Sequence, residues 1–157
     1  MNSRGRKTPP IDPTFAAYPV RIAPSRIEGY GVFATASIPQ GRKVIEYTGE
    51  RLRLRQAYAR LKKALRTGGP KRIYLFRLNR VWSIDGAVNG SGAECINHSC
   101  DPNLHARIIR GHILLFSRRR IHAGEELLLD YSFHPKAIRI RCRCGSSVCR
   151  GFLNRSN

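Results

Sequence analysis

The sequence lacks long apolar runs and has few acidic residues. No apolar stretch approaches the roughly 18 residues that a membrane span requires. The first residues, Met1 to Lys7, are polar and basic, unlike a secretory signal. We therefore expect an intracellular, soluble protein. Only 10 Asp and Glu stand against 29 Lys and Arg, which leaves a formal net charge of +19.

A surface this basic predicts a polyanionic partner. Excess cations attract nucleic acid through counterion release and steer association over long range. The alternative is a solvated surface that only keeps the protein in solution. The basic residues are not interleaved with aromatic ones, so contacts to nucleic acid would be to its backbone and weakly sequence-specific.

The cysteines indicate a metal site rather than disulfides. Their number, 5, is odd, and an intracellular setting disfavours a disulfide framework. Cys142, Cys144 and Cys149 lie close together among arginines, whose charge favours thiolates. Structural zinc takes four ligands, so this cluster lacks one, and Cys95 and Cys100 are the cysteine candidates. Free buried thiols are the alternative.

Short β-like runs dominate the chain from Val20 onward, and 157 residues suit one domain. The predicted strands are Val20–Ala23, Gly31–Thr35, Val44–Tyr47, Ile73–Arg77, Val81–Asp85, His105–Ile109, His112–Ser117 and Leu127–Leu129. One helix is predicted over Leu52–Arg66, ended by Gly68-Gly69-Pro70, and Arg110-Gly111 predicts a two-residue hairpin turn. Residues 1–19, which include four prolines, predict a flexible arm.

The run from Ile96 to Asn103 is the most informative stretch. It places an amide, an imidazole, a hydroxyl and a thiol on consecutive residues, before an Asp-Pro turn. An ordinary polar loop rich in Asn, Ser and Asp is the alternative.

Read with the rest of the chain, this run resembles a signature motif of the SET-domain protein lysine methyltransferases. The likeness extends from about Val20 to Leu153, and its segments occur in the family's order. They are Glu28–Ala34, Gly41 with Glu46–Glu50, Tyr74–Phe76, Ile84–Asp85, Ile96–Asn103, Gly124–Tyr131 and Cys142–Gly151.

The resemblance implies a mostly β fold, the β-clip of SET domains. It has short strands in small sheets, one inserted helix, and a pseudoknot near the C-terminus where two segments cross. It also implies three parts: the arm (1–19), a SET domain (20–134, with the helical insert at about 52–66) and a zinc-binding post-SET tail (135–157).

The resemblance also implies the ligands and the site residues. S-adenosylmethionine would be the methyl donor, and its predicted contacts are Glu28, Gly29, Tyr30, Gly31, Asn97, His98, Tyr131, Phe152 and Leu153. A zinc ion, Zn2+, would be held by Cys100, Cys142, Cys144 and Cys149, with Cys95 as a spare buried thiol.

Tyr131 is the first candidate for the catalytic residue, and Tyr74 would line the lysine channel. The alternative for both is an ordinary half-buried aromatic side chain. For Phe152 and Leu153, simple packing of the tail is the alternative.

The function implied is methyl transfer to a lysine of a protein substrate, a histone or another basic protein associated with nucleic acid. The protein would then be nuclear or chromatin-associated in a eukaryote and cytoplasmic in a bacterium. A different class is a catalytically inactive, zinc-stabilised module that binds nucleic acid. A third, a disulfide-stapled secreted protein, fits the charge but neither the odd cysteine count nor the missing signal.

Two positions depart from the family pattern. Glu94 stands where family members usually have Arg, which reverses a charge near the cofactor side. Leu129 stands two residues before Tyr131, where Tyr or Phe is usual. A side chain without a hydroxyl cannot hold the water that restrains higher methylation, so we predict di- or trimethylation.

The net charge poses a problem, because basic substrates should be repelled at low salt. One solution is that acidic residues gather near the channel, the candidates being Asp85, Glu94, Glu126 and Asp130. The other, which we favour, is docking on nucleic acid through Arg51–Arg66 and Arg118–Arg120.

Overall fold

The computed structural model describes residues 10–67 and 74–156. Its strands are β1 (Val20–Pro24), β2 (Tyr30–Ala34), β3 (Lys43–Tyr47), β4 (Glu50–Arg53), β5 (Leu75–Arg77), β6 (Trp82–Asp85), β7 (Asn97–His98), β8 (Leu104–Ile109), β9 (His112–Ser117) and β10 (Leu128–Leu129). Helix α1 (Leu54–Arg66) follows β4, and a 3₁₀ helix (Ala93–Cys95) precedes β7. The predicted mostly β fold with one inserted helix is confirmed for this part of the chain.

The described strands form three small sheets. β1 and β2 make an antiparallel hairpin, β4, β6 and β5 make a three-stranded sheet in that order, and the largest sheet has the order β3-β9-β8-β10-β7. The β8–β9 turn is the predicted one: Arg110 and Gly111 have φ values of 50° and 83°, as a twisted two-residue hairpin turn requires.

Strand β10 lies between β7 and β8 and runs parallel to both. Leu128 pairs with Asn97, and Leu129 pairs with His98 and with Leu104. The segment that contains β10 therefore crosses the Ile96–Asn103 segment, which is the predicted pseudoknot. This crossing brings Tyr131 next to His98, although 33 positions separate them in the chain.

The core collects buried side chains from all three sheets. Its fully buried side chains are aliphatic and come mostly from strands and their flanks: Val32, Ile38, Val44, Ile45, Leu104, Ile113, Leu115, Ile121 and Leu127. Each such side chain contributes about 1.5–3 kcal/mol by leaving water. The short polar strand β7 is thereby anchored to a rigid apolar layer.

Helix α1 begins at Leu54, so the predicted start at Leu52 is wrong. Residues Glu50–Arg53 form β4, which pairs antiparallel with Trp82–Asp85, because ladder hydrogen bonds in the sheet outweigh the local helical pattern. The Arg53 main-chain N–H donates to Gln56 Oε1 at 2.9 Å and marks the helix N-cap. The predicted end at Gly68-Gly69-Pro70 lies outside the described residues, as does Ile73 of a predicted strand.

Residues 12–19, part of the predicted arm, are hydrogen-bonded to the domain. The main-chain N–H of Asp12 donates to Ser91 O at 2.9 Å and that of Ala17 to Val44 O at 2.8 Å. Ile11, Ala16 and Tyr18 pack against the core. This stretch is therefore part of the packed domain, and residues 1–9 lie outside the described residues. Within the described ranges, no helix has the length and apolar character needed to cross a membrane.

Candidate active site and metal centre

A cavity of about 740 Å³ opens where the two segments cross. Its walls come from β7, from helix α1, from the segment after β10 and from the cysteine-rich tail. This volume lies within the range of small-molecule pockets, about 300–1,000 Å³. The cavity is thus large enough for a nucleotide-sized ligand.

Asn97 ties β7 to the segment before β2. Its side-chain Nδ2 donates to Tyr30 O at 3.1 Å and to Glu126 Oε1 at 2.8 Å, and it lies 3.3 Å from Glu28 O. A Cβ at Gly31 would lie 2.1 Å from Glu126 Oε1, a close approach that a larger residue would relieve only by moving the Glu126 carboxylate. In this structure that close approach is to Glu126.

His98 is buried and its tautomer is defined. The Tyr131 main-chain N–H donates to His98 Nδ1 at 3.1 Å, which leaves the ring hydrogen on Nε2, 3.4 Å from Cys100 Sγ. Burial, against the opposing charge of Asp130, lowers the pKa of His98 to about 4. The imidazole is therefore neutral at pH 7.

The Tyr131 side chain is fixed at the cavity wall. Its hydroxyl donates to Ile96 O at 2.7 Å, and its ring meets the His98 ring edge-on with centroids 5.3 Å apart. Tyr74 also lines the cavity, and its carbonyl oxygen accepts a hydrogen bond from the Tyr47 hydroxyl. The structure therefore brings the two predicted catalytic tyrosines to one cavity.

Tyr47 is bound to Tyr74 through this hydrogen bond, although the sequence analysis assigned Tyr47 no role in the site. Burial, followed by the nearby Glu94 carboxylate, raises the pKa of Tyr47 well above the usual value. The available signal was its position in the Glu46–Glu50 segment of the family pattern. The nearby Gly86 permits this packing, because a Cβ there would lie 2.8 Å from the Tyr47 hydroxyl oxygen.

The predicted cofactor residues divide into two groups. Five line the cavity: Glu28, Asn97, His98, Tyr131 and Leu153. The other four are neighbours in sequence that do not line it: Gly29, Tyr30, Gly31 and Phe152. The Phe152 ring lies 3.8 Å from the Arg139 guanidinium carbon, in a cation–π contact.

Four cysteines, Cys100, Cys142, Cys144 and Cys149, form the candidate metal centre. Their sulfur atoms all lie within 4.8 Å of one another. The Cys100 and Cys142 sulfurs are 3.8 Å apart, close to the roughly 3.8 Å edge of a tetrahedron with Zn–S bonds of about 2.3 Å. Cys95 is instead buried in the core, which resolves the choice between it and Cys100.

The surroundings of the sulfur atoms act on their ionisation in both directions. Main-chain N–H groups of Cys144, Arg150 and Gly151 donate to Cys142, Cys100 and Cys149 Sγ at 3.4–3.5 Å. Burial opposes ionisation of Cys144, but hydrogen bonds from the main chain and from neighbouring thiols lower its pKa to about 6. Burial raises the pKa values of Cys100 and Cys142. Four sulfur atoms at this spacing fit a zinc ion, which binds cysteine as the thiolate.

Arg150 joins the tail to the segment after β10. Its guanidinium donates to both carboxylate oxygens of Asp130 at 2.7 Å, and also to the carbonyl oxygens of Leu153 and Asn154. Burial acts to raise the pKa of Asp130, but the Arg150 hydrogen bonds outweigh it and the pKa is lowered. No sequence pattern indicated this pairing.

Helix α1 turns an apolar stripe toward the cavity. Leu61, Ala64 and Leu65 line the wall, and Ala57 packs inward against the sheet. Arg60, one turn away, bridges Glu50 Oε2 at 2.8 Å and Asp85 Oδ2 at 2.7 Å. This bridge holds the helix to the small sheet.

The four acidic residues considered for the channel do not all lie there. Asp85 and Glu94 line the cavity. Glu126 accepts instead from Asn97 and from the Ser25 hydroxyl, and Asp130 is held by the tail. Two of the four candidates therefore line the cavity, together with Arg60, Arg141 and Arg143.

Comparison with known proteins assigns the family. The SET domain profile matches residues 29–132. The chain is 44% identical over 140 residues to an H3 lysine-4 specific histone-lysine N-methyltransferase of Schizosaccharomyces pombe, covering 86% of this chain and 15% of that protein. It is 41% identical over 143 residues to the Saccharomyces cerevisiae protein of the same name, covering 87% and 13%. Histone-lysine N-methyltransferase set-2 of Caenorhabditis elegans is 38% identical over 139 residues, with coverage of 86% and 9%.

The chain thus spans between 9% and 15% of the length of these three relatives. The residues matched by the profile contain both crossing segments, with Asn97, His98 and Tyr131. The chain belongs to the SET-domain family.

Proposed function

We propose that the chain is a protein-lysine N-methyltransferase that uses S-adenosylmethionine. Its substrate would be a lysine of a histone or of another basic protein associated with nucleic acid. The observation that supports this most strongly is the position of Tyr131, held by Ile96 O and by the His98 ring at the cavity wall. The printed names of the relatives support the same class of reaction.

The cavity lining fits the proposed cofactor. It combines carboxylate, amide, imidazole and phenol groups with an apolar wall, as a ligand with a charged amino-acid part and an aromatic base requires. Glu28, Asn97, His98, Tyr131 and Leu153 would hold it. When bound, S-adenosylmethionine supplies an electrophilic methyl group.

The protein's own side chains would orient the substrate amine and keep it uncharged. The Tyr131 hydroxyl hydrogen is donated to Ile96 O, so toward any further group the phenol oxygen acts as an acceptor. An acceptor at this point can orient the substrate amine, and orientation of reacting groups contributes several kcal/mol. Tyr74 would guide the lysine chain, and the Leu61 and Ala64 wall would favour the neutral amine by excluding water.

The four cysteines would hold a structural zinc ion. Four protein ligands complete a tetrahedron, which leaves no open position for a reacting group. The role of the ion would be to fold the tail against the cavity, whose lining includes Cys142 and Cys144. Metal binding and cavity integrity would then be coupled.

The alternative is an inactive, zinc-stabilised nucleic-acid-binding module. Such a module needs the zinc and the basic surface but has no use for Asn97, His98 and Tyr131 converging on one cavity. Their convergence favours the enzyme.

Docking on nucleic acid is part of the proposal. Helix α1 exposes Arg55, Lys62, Lys63 and Arg66, and Arg118 and Arg120 are exposed just after β9. Arg119 is committed to Glu125 by contacts at 2.8 and 3.2 Å. In a eukaryote, such docking would place the protein on chromatin. Affinity for DNA should fall steeply between about 50 and 200 mM salt, and insensitivity to salt would contradict docking.

The test of the enzyme is direct. S-adenosylmethionine should raise the melting temperature of the zinc-loaded chain, and labelled methyl groups should transfer to histones or ribosomal proteins. Tyr131→Phe should abolish or sharply reduce transfer while the fold, checked by circular dichroism, is retained. Absence of both stabilisation and transfer would refute the proposal.

A further inference from the structure

Glu94 places a carboxylate on the cavity wall without a cationic partner. Its Oε2 accepts from the Gly92 main-chain N–H at 2.8 Å. Across residues 10–67 and 74–156, no Lys, Arg or His lies within ion-pair distance of it. Asp85, on the same wall, is in contrast neutralised by Arg60. Among these residues Glu94 is therefore a cavity-wall carboxylate with no ion pair, whereas Arg60, on the same lining, is already paired with Asp85.

The local backbone fits closely around this side chain. A Cβ at Gly90 would lie 2.5 Å from Glu94 Oε2, and a Cβ at Gly86 would lie 2.7 Å from Glu94 Cβ. Gly92 has a φ of 97°, a left-handed conformation that directs the chain into the 3₁₀ helix carrying Glu94. Larger residues at Gly86 and Gly90 would displace the carboxylate. The position of the Glu94 carboxylate is thus fixed by the packing of the surrounding backbone.

The energetics favour a cationic ligand at this point. Burial raises the pKa of Glu94, despite hydrogen bonds from main-chain N–H groups that favour the charged form. A charge removed from water without a counter-charge is costly, and an incoming cation offsets that cost. The chain carries a large positive excess, and Arg141 and Arg143 also line the cavity, so a carboxylate without an ion pair lowers the repulsion that a basic substrate meets there.

We propose that Glu94 is a specificity-determining residue that binds a second cationic side chain of the protein substrate, an arginine or lysine near the target lysine. This inference rests on the proposed function. The target nitrogen itself is a poor occupant, because a carboxylate beside it would hold it as the ammonium, which is not nucleophilic. The substrate class is therefore a basic peptide segment with at least two cations.

The test uses the zinc-loaded full chain and fluorescent peptides. Each peptide has one central lysine and one arginine, moved through the flanking positions in turn, and each has a partner with citrulline in place of arginine. At one position the wild-type chain should bind the arginine peptide about tenfold more tightly, as expected for a hydrogen bond to a charged group. Glu94→Gln, which keeps the acceptor for Gly92 N–H, should lose that preference.

Controls separate this contact from general electrostatics and from misfolding. Glu125→Gln removes the same unit of charge at an exposed pair elsewhere and should keep the preference. Glu94→Asp keeps the charge and should retain part of it. In transfer assays, Glu94→Gln should raise KM for the arginine peptide and leave kcat nearly unchanged.

The outcomes distinguish this inference from the proposed function. If the wild-type chain discriminates arginine from citrulline in binding but transfers no methyl group, the enzyme proposal fails and the Glu94 contact stands. Equal discrimination by wild type and Glu94→Gln would overturn the inference. A Glu94→Gln variant with raised kcat and a pH profile shifted to lower pH would also overturn it, since Glu94 would then face the target nitrogen.

Discussion

Asn103 and Glu126 join the two crossing segments through one buried amide. Asn103 Nδ2 donates to the main-chain oxygen of Glu126 at 2.8 Å, and its Oδ1 accepts from the Leu128 N–H at 2.8 Å. The side chain is 2% exposed, so water does not compete for either bond. The crossing thus depends on a side chain that can both donate and accept.

Replacing Asn103 with Ala should destabilise the whole domain. The variant leaves a buried carbonyl and a buried N–H unpaired, which costs about 2–4 kcal/mol in the free energy of unfolding. Urea denaturation measures this cost. Gln40→Ala, which truncates an exposed amide, is the control and should change stability by less than about 0.5 kcal/mol. Equal stability of the two variants would contradict the role of Asn103.

Gly31→Ala should weaken cofactor binding through Glu126. The added methyl would collide with the Glu126 carboxylate, which would have to leave Asn97. We expect a lower affinity for S-adenosylmethionine by titration calorimetry. In a Glu126→Ala background the same substitution should cost much less, because the colliding group is absent. Additive effects of the two substitutions would show that the collision is not the cause.

Zinc removal should loosen the cavity as well as the tail. The proposed metal ligands Cys142 and Cys144 form part of the cavity lining, and the Arg150 main-chain N–H donates to Cys100 Sγ. A chelator should lower the melting temperature and abolish the stabilisation by S-adenosylmethionine, and added zinc should restore both. Transfer activity that survives verified removal of zinc would rule out this coupling.

Leu129→Tyr should shift the products toward monomethyl-lysine. Leu129 is 6% exposed in β10, two residues before Tyr131, and has no hydroxyl to hold a water molecule. We expect the wild-type chain to form di- or trimethyl-lysine at long times, as measured by mass spectrometry. Leu129→Phe supplies the ring without the hydroxyl and should leave the products unshifted. A wild-type enzyme that stops at monomethyl-lysine would refute the prediction.

Most of the strands could be predicted from local patterns, because alternating apolar residues and the turn residues that bound them can be recognised within a few positions of the sequence. His112–Ser117 is predicted with the bounds that the structure has, and the other predicted strands overlap the observed ones. Strand β7 was not predicted, because Asn97 and His98 are polar and become a strand only when β10 pairs with them. The helix start was wrong for a similar reason, since β4 depends on its distant partner β6.

Some features of the candidate site could likewise be predicted from the sequence, and others could not. The cysteine cluster and the proximity of His98 to Tyr131 were predicted from the family resemblance. A match to the family's motifs implies the family's topology, which brings these distant residues together. The Arg150–Asp130 pair and the Arg60 bridge were not predictable, because ion pairs between distant segments leave no period or spacing in the sequence. The sequence identified Glu94 as a departure from the family pattern, but only the structure shows that it has no ion-pair partner among the described residues.

The contribution of the tail to the cavity has a consequence for biosynthesis. Residues Cys142, Cys144 and Leu153 form one wall, yet they follow Tyr131 in the chain. A nascent chain that has emerged from the ribosome only as far as Tyr131 contains both crossing strands but not this wall. Completion of the cavity must then wait for translation of the tail, and a chain interrupted after Tyr131 would lack this wall. If the cysteines hold zinc as proposed, the wall also depends on the supply of the ion.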